Sequence, residues 1–179
     1  MDYYTKLQNL LIANKWKEAD QQTSRIILLV AGQEQRGWLD YKDIEQFPSF
    51  ELCMIDEIWL KYSNIHFGLT VQKDIWEQVS KEFNSERKLK FGERLGWRKE
   101  GKWLSYYNLD FSSKAPPGHL PTWHIFGGFL GGFGLLSVLQ TLDGKEKPIL
   151  WQQHQATQLT CYPNTSLTYF PKSVYMADF

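Results

Sequence analysis

With 179 residues the chain can bury one sizeable core, and one domain is the expectation. Twenty basic side chains balance twenty acidic ones, so no net field draws it to nucleic acid or anionic lipid. Two cysteines, far apart and without CxxC spacing, exclude a disulfide scaffold, and a 16% aromatic share alongside 22% charged residues gives more flat apolar surface than a small core needs.

Leu7, Leu10 and Leu11 have helical spacing, which predicts a first helix over 3–13 with a turn at "ANK". Trp16, Ala19, Thr23, Ile26, Ile27 and Val30 recur at three- and four-residue steps. They predict a second helix over 16–30, antiparallel to the first, with Gly32 where a C-cap belongs. Asp40 is placed to cap a short helix running to Gln46. Pro48 then sits where a first helical turn tolerates proline, and Leu52, Ile55, Trp59 and Tyr62 stripe the helix expected to be central. After the loop "SNIHFG", Thr70 is the expected N-cap of a helix striped by Val71, Ile75, Val79 and Phe83. Ser85 is the expected cap of a shorter helix that Gly96 closes.

Beyond Gly96 the periodicity fails. "WRKEGKWLSYYNLDFSSKAPPGHLP" has turn chemistry at Gly101 and three prolines near its end, which predicts an ordered aromatic loop or short hairpin. "WHIFGGFLGGFGLLSVLQTL" is short and glycine-rich for a membrane span. Phe126, Phe129, Phe133, Leu136 and Leu139 suggest a packed helix over 122–142, so no transmembrane span is expected, and peripheral membrane contact stays open. Residues 143–179 show no core pattern and read as a C-terminal extension. The opening "MDYYTKLQNLLIANKWKEAD" does not read as a signal peptide.

Catalytic and metal chemistry find no support in the motifs. His66, His119, His124 and His154 form no HxxxH or HExxH pattern, so no metal site is expected. "GGFLGGFG" lacks the acidic partner of a dinucleotide fingerprint and the lysine of a P-loop. Asp56 and Glu57 diverge by about 100° on a helix and cannot flank one substrate atom; Asp56 is expected to bond within the fold. Cys53, among Leu52, Met54 and Ile55, reads as a small buried side chain.

Six blocks in order carry a resemblance: "WKEAD" with a following threonine, "GWL", "FP", "ID" with "W" and "KYS", "FG-x-x-VQK-x-IW", and "GW" followed by "APPGHLP". Over about Tyr4 to Pro121 the chain resembles the genomes-uncoupled tetrapyrrole-binding domain family, accessory proteins of magnesium chelatase. The resemblance implies an all-α domain, 1–121, with a cupped concave face and an ordered aromatic-rich loop. It implies a non-catalytic protein that needs no cofactor, binds protoporphyrin IX or Mg-protoporphyrin, and regulates chlorophyll biosynthesis with the magnesium chelatase large subunit as partner. The plastid stroma or the cyanobacterial cytoplasm is the implied location.

A porphyrin is a flat apolar disc with propionates on one edge, so its site needs an apolar wall and cations at the rim. The wall expected on this resemblance is Trp38, Leu39, Phe47, Phe50, Ile65 and Phe67. Trp97, Trp103, Tyr106 and Tyr107 would close the other face, and Arg98, Lys99 and Lys102 would meet carboxylates. Trp59, Ile55 and Ile75 are assigned to the core. His66 reads as a loop histidine bonded to backbone. The chain departs from the family pattern after "GHLP", where "TWHIFGGFLGGFGLLSVLQ" holds no cation. That departure supports a second reading, a ligand-free protein-interaction or sensing module on the same fold.

Overall fold

The computed structural model describes residues 3–79 and 85–122. The helix expected over 122–142, beyond Thr122, the extension 143–179 and Phe83 lie outside the described residues. Six helices follow in chain order: α1 (Tyr3–Ile12), α2 (Trp16–Val30), α3 (Tyr41–Gln46), α4 (Ser49–Tyr62), α5 (Leu69–Val79) and α6 (Ser85–Arg94). Strands β1 (Arg98–Lys99) and β2 (Lys102–Trp103) form an antiparallel hairpin in which Arg98 faces Trp103 and Lys99 faces Lys102. A 3-10 turn, Tyr106–Asn108, comes next, and residues 115–122 follow as a non-helical strap.

The helical expectation holds, and most boundaries agree with it. Trp16 and Val30 bound α2 as predicted, and its end is closed by Gly32 at φ 65°. Asp40 caps α3 by accepting from the amides of Lys42 (2.9 Å) and Asp43 (3.1 Å). Asp43 returns the bond by accepting from the Asp40 amide, completing a capping box. The hairpin turn Glu100–Gly101 has positive φ at both residues, the geometry that matches the twist of a two-residue connection.

One start signal was misplaced. Thr70 was expected to cap α5, but the helix begins at Leu69, and the Asp56 carboxylate of α4 accepts from the Thr70 amide (3.1 Å) and hydroxyl. An acidic side chain brought from another helix thus satisfies an amide in the first turn of α5.

Helix α4 is central because it is apolar nearly all round: Leu52, Cys53, Met54, Ile55, Ile58 and Trp59 are all buried. Trp59 is 0% exposed, stacks near Trp16 at 6.4 Å, meets Phe67 edge-on at 6.3 Å, and donates its indole N–H to Thr23 Oγ1 at 2.9 Å. A second cluster joins α5 to α6 through Trp76, Phe91 and Trp97, whose rings meet edge-to-face at 5.3 and 6.1 Å.

Replacing Trp59 with alanine removes this aromatic contact and leaves a cavity in the middle of the domain. Destabilisation of about 3–5 kcal/mol is expected by chemical denaturation. A loss below 1 kcal/mol would show that α4 is not the central element.

Candidate functional site

Four of the ten residues expected at the ligand face are exposed: Trp38 (43%), Phe50 (51%), Ile65 (72%) and Tyr107 (83%). Phe47 and Trp103 are half-buried. Leu39, Phe67 and Trp97 correct the expectation, because they are buried at 2%, 1% and 7% exposure and have no surface to offer a ligand. Phe67 packs edge-on against Trp16 at 5.3 Å, and Trp97 donates its indole N–H to the His119 carbonyl at 2.8 Å. They belong to the core because the loops that carry them fold inward, a choice that local spacing does not encode.

Trp38 lies in the connection between α2 and α3 and is held by Arg36. The guanidinium carbon is 4.4 Å from the Trp38 ring centroid, and Nε donates to the Trp38 carbonyl at 2.9 Å. The same guanidinium pairs with Asp40 (3.2 Å) and Asp43. The cation therefore fixes the indole to the capping box of α3. Phe50 stands at the first turn of α4, with Phe47 just before it.

Ile65 follows α4 in a tight turn. The Ser63 hydroxyl accepts from the Phe67 amide at 2.9 Å, and the Ile65 amide donates to the Leu60 carbonyl at 2.8 Å. Ile65 has φ 60°, a left-handed conformation that glycine adopts readily and a β-branched residue adopts only with strain. Neighbouring His66 donates from Nε2 to the Ala115 carbonyl at 2.7 Å, so it bonds to backbone as expected.

At the hairpin, Trp103 lies over Gly92 of α6. A Cβ added there would meet the Trp103 ring at 2.4 Å, so the missing side chain makes the close approach. Arg98, expected as a free rim cation, is engaged in the fold. It pairs with Glu93 and donates to the Gly101 carbonyl at 2.8 Å. Lys99 and Lys102 at the hairpin tip are exposed. Tyr107 packs against Tyr106, Tyr106 against Phe111, and Lys17 Nζ of α2 lies 5.8 Å from the Tyr107 centroid and 5.6 Å from that of Phe111.

The sequence reading missed the polar groups that hold these pieces. Asp20 on α2 is 0% exposed; its carboxylate accepts from the Thr122 amide and from the Thr122 hydroxyl at 2.8 Å. Burial pushes the Asp20 carboxyl up to about 7 against the pull of these bonds. Burial and the nearby Asp20 charge also raise the Tyr106 phenol, while burial lowers His119. The position of Asp20 beside Ala19 on the buried stripe of α2 was the available signal. A shallow cleft of about 350 Å³ lies elsewhere, lined by Gln78, Val79, Lys90, Glu93 and Arg94. Among the described residues no cluster of His, Cys, Asp and Glu could hold a metal ion, and no helix is long and apolar enough to cross a membrane.

The architecture is that of an all-helical domain closed by a non-helical strap and carrying large apolar side chains on its surface. The chain belongs to the GUN4-like family, whose model matches residues 1–131. It is 33% identical over 123 residues to the "Ycf53-like protein" of Synechocystis sp., covering 66% of this chain and 50% of that one. It is 27% identical over 127 residues to the "Tetrapyrrole-binding protein, chloroplastic" of Arabidopsis thaliana, covering 64% and 46%. The ligand-free structure of Arabidopsis thaliana GUN4 superposes with a TM-score of 0.63 at 26% identity, covering 78% of this chain and 95% of that one. The chain spans about half the length of the curated relatives it matches.

The pH dependence of stability tests the Asp20 environment. The folded protein holds the Asp20 proton up to about pH 7, whereas the unfolded chain releases it near 3.8. The native state therefore binds more protons between these values, and stability falls as pH rises through that window. His119, lowered in the fold, contributes with the opposite sign below its ordinary 6.5. Subtracting the Asp20→Asn profile isolates the carboxyl: from pH 5 to 8 wild type should lose on the order of 2 kcal/mol more than the variant. Parallel profiles would show that Asp20 titrates in the ordinary range.

Proposed function

We propose that the chain binds a tetrapyrrole, protoporphyrin IX or its magnesium complex, on the surface that presents Trp38, Phe50, Ile65 and Tyr107. Family membership and the name of the Arabidopsis relative, a tetrapyrrole-binding protein, support the ligand class. The observation that carries the site is Ile65: an isoleucine 72% exposed at φ 60° brings neither burial nor an easy backbone, so its side chain serves something outside the fold. Phe47 and Trp103 extend the proposed wall, and Lys99 and Lys102 stand in for Arg98 as rim cations facing propionates. The protein would act without catalysing a reaction. It would regulate magnesium chelatase in chlorophyll biosynthesis through contact with the large subunit, in the plastid stroma or the cyanobacterial cytoplasm; the chloroplast and cyanobacterial relatives support that setting. Residues 1–121 would form the binding domain.

Titration with protoporphyrin IX, followed by tryptophan quenching and a Soret shift, tests the reading directly. Absence of both signals would favour the protein-interaction module, a reading supported by the engagement of Arg98 with Glu93.

Ile65→Gly should relieve the left-handed strain and raise stability by about 1 kcal/mol while weakening porphyrin binding. A variant that is stabilised and binds as tightly as wild type would remove Ile65 from the site.

Phe50→Asp sets a charge against an apolar disc and should weaken binding by about 2 kcal/mol. The fold should persist, because an acidic residue in the first turn of α4 suits the helix dipole. Lys102→Glu should weaken binding less, since an exposed cation is screened. Dissociation constants measured beside circular dichroism give the order, and an unchanged constant for Phe50→Asp would move the site to another face.

A further inference from the structure

The chain leaves α6 and folds straight back onto its last turn. The Gly92 carbonyl accepts from the Trp97 amide at 2.8 Å and the Glu93 carbonyl from the Gly96 amide at 3.0 Å, with Gly96 at φ 73°. This is the Schellman arrangement that ends a helix and reverses the chain. Strands β1 and β2 follow, and their register pairs Arg98 with Trp103. Both members of that pair come down on Gly92: an added Cβ would lie 2.5 Å from Trp103 Cζ3, closer still to Cη2, and 3.4 Å from Arg98 Cβ. Arg98 also pairs with Glu93, the next residue of α6. We propose that Gly92 is a positioning residue for the ligand surface: by having no side chain it sets the height of the hairpin over α6, and with it the placement of the Trp103 ring and of Lys99 and Lys102 toward a bound porphyrin. The proposal rests on the tetrapyrrole reading, which puts Trp103 in the apolar wall and the two lysines at its rim.

A glycine inside a helix is unfavourable relative to alanine, and α6 is only 10 residues long, so Gly92 needs a compensating contact. That contact is the Trp103 ring. Gly92 is helical, unlike Gly96, so what it supplies is space rather than backbone freedom. The atoms that a methyl group would strike lie at the far end of one side chain and not in backbone. Relief therefore comes from movement of the ring. Trp103 is half-buried and can tilt outward, whereas the buried Phe91 and Leu95 hold this end of α6 in the core. Strand alternation turns Arg98 and Trp103 toward α6 and Lys99 and Lys102 to the other face, so a lifted hairpin re-aims both lysines together. Replacing Gly92 with alanine thus spares the helix and disturbs the ligand surface, which separates positioning from support of the fold.

Titration of the full chain with protoporphyrin IX, beside NMR spectra of the ligand-free protein, tests this. Gly92→Ala should keep the far-UV circular dichroism of wild type and shift the Trp103 indole N–H resonance and the amides of residues 98–103. It should weaken porphyrin binding by about tenfold. Adding Trp103→Phe, whose shorter ring vacates the space a methyl group needs, should return the affinity to within about threefold of that of Trp103→Phe alone. Wild-type affinity in Gly92→Ala, or a loss that the second substitution leaves in place or deepens, would overturn the proposal, because Gly92 would then act on binding not at all or not through Trp103. If Gly92→Ala loses its helical signal, recovery of fold and binding in the double variant supports the proposal, and continued loss overturns it. A wild-type protein that shows neither tryptophan quenching nor a Soret shift would sink the tetrapyrrole reading instead. The ligand-free spectra then decide whether Gly92 sets the hairpin, and unshifted 98–103 amides in Gly92→Ala would show that it does not.

Discussion

The strap over 115–122 is the constraint on which the rest of the described fold depends. It contains Pro116, Pro117 and Pro121, forms no helix or strand, and is buried over much of its length, so its polar backbone groups need partners from elsewhere. The Gln72 side-chain amide gives one hydrogen to the Gly118 carbonyl and the other to that of Pro121, both at 2.8 Å. The Gly68 amide donates to Leu120, the Gly118 amide to His66, the Trp97 indole to His119, and Thr122 to Asp20. These partners come from α2, the α4–α5 turn, α5 and the segment leaving α6. One irregular stretch thereby fixes how four parts of a helical domain meet. Its tightness is visible at Gly118, at φ 72°, where an added Cβ would lie 2.9 Å from Leu95 and 3.1 Å from Ile75. Each lost donor would strand a buried carbonyl, at about 1–3 kcal/mol.

The helices were legible because their signals are local. Trp16 to Val30 announces α2 through a repeated three- and four-residue step, and Asp40 announces α3 through a side chain that reaches amides two and three residues on. Asp56 shows where this reading stops. The same carboxylate chemistry starts α5, yet the donor Thr70 is fourteen residues away, and only the packing of α4 against the α4–α5 turn brings them together. The strap lies further beyond local reading. "APPGHLP" marks a departure from helix, but nothing in its spacing names Gln72 or Asp20 as its partners.

The candidate surface was half legible for a related reason. An aromatic residue in a loop has equal chemistry whichever way the loop turns, and the outcome rests on what lies behind it. Phe67 has Trp16, Trp59 and His66 behind it and is buried; Ile65, two residues earlier, is turned out by the left-handed backbone of the same turn. Leu39 and Trp38 divide in the same manner across one peptide bond, with Arg36 holding the exposed indole. Three of the four exposed members share a feature absent from the sequence pattern: each is fixed by backbone geometry or by a charged neighbour. Tyr107 has Lys17, Trp38 has Arg36, and Ile65 has the Ser63–Phe67 turn. Such anchoring reduces the ordering cost of binding a rigid planar ligand.

Charge placement at the hairpin completes the argument. Arg98 is the cation that proximity to Trp97 and Trp103 recommended, but Glu93 and the Gly101 carbonyl each engage one of its terminal nitrogens and make it part of the hairpin's attachment to α6. Lys99 and Lys102 differ in both respects: they are exposed, and the strand register sets them directly opposite each other. Like charges in facing positions repel, a local cost of a few tenths of a kcal/mol or more that a salt-bridged pair would avoid. An anion at the tip reverses the sign of that interaction, so the hairpin is better suited electrostatically to a ligand carboxylate than to bare solvent. In a chain whose formal charges cancel, this attraction acts only within about a Debye length of the tip. The hairpin can therefore orient an acidic edge that the apolar surface has already captured, but it cannot gather anions from a distance.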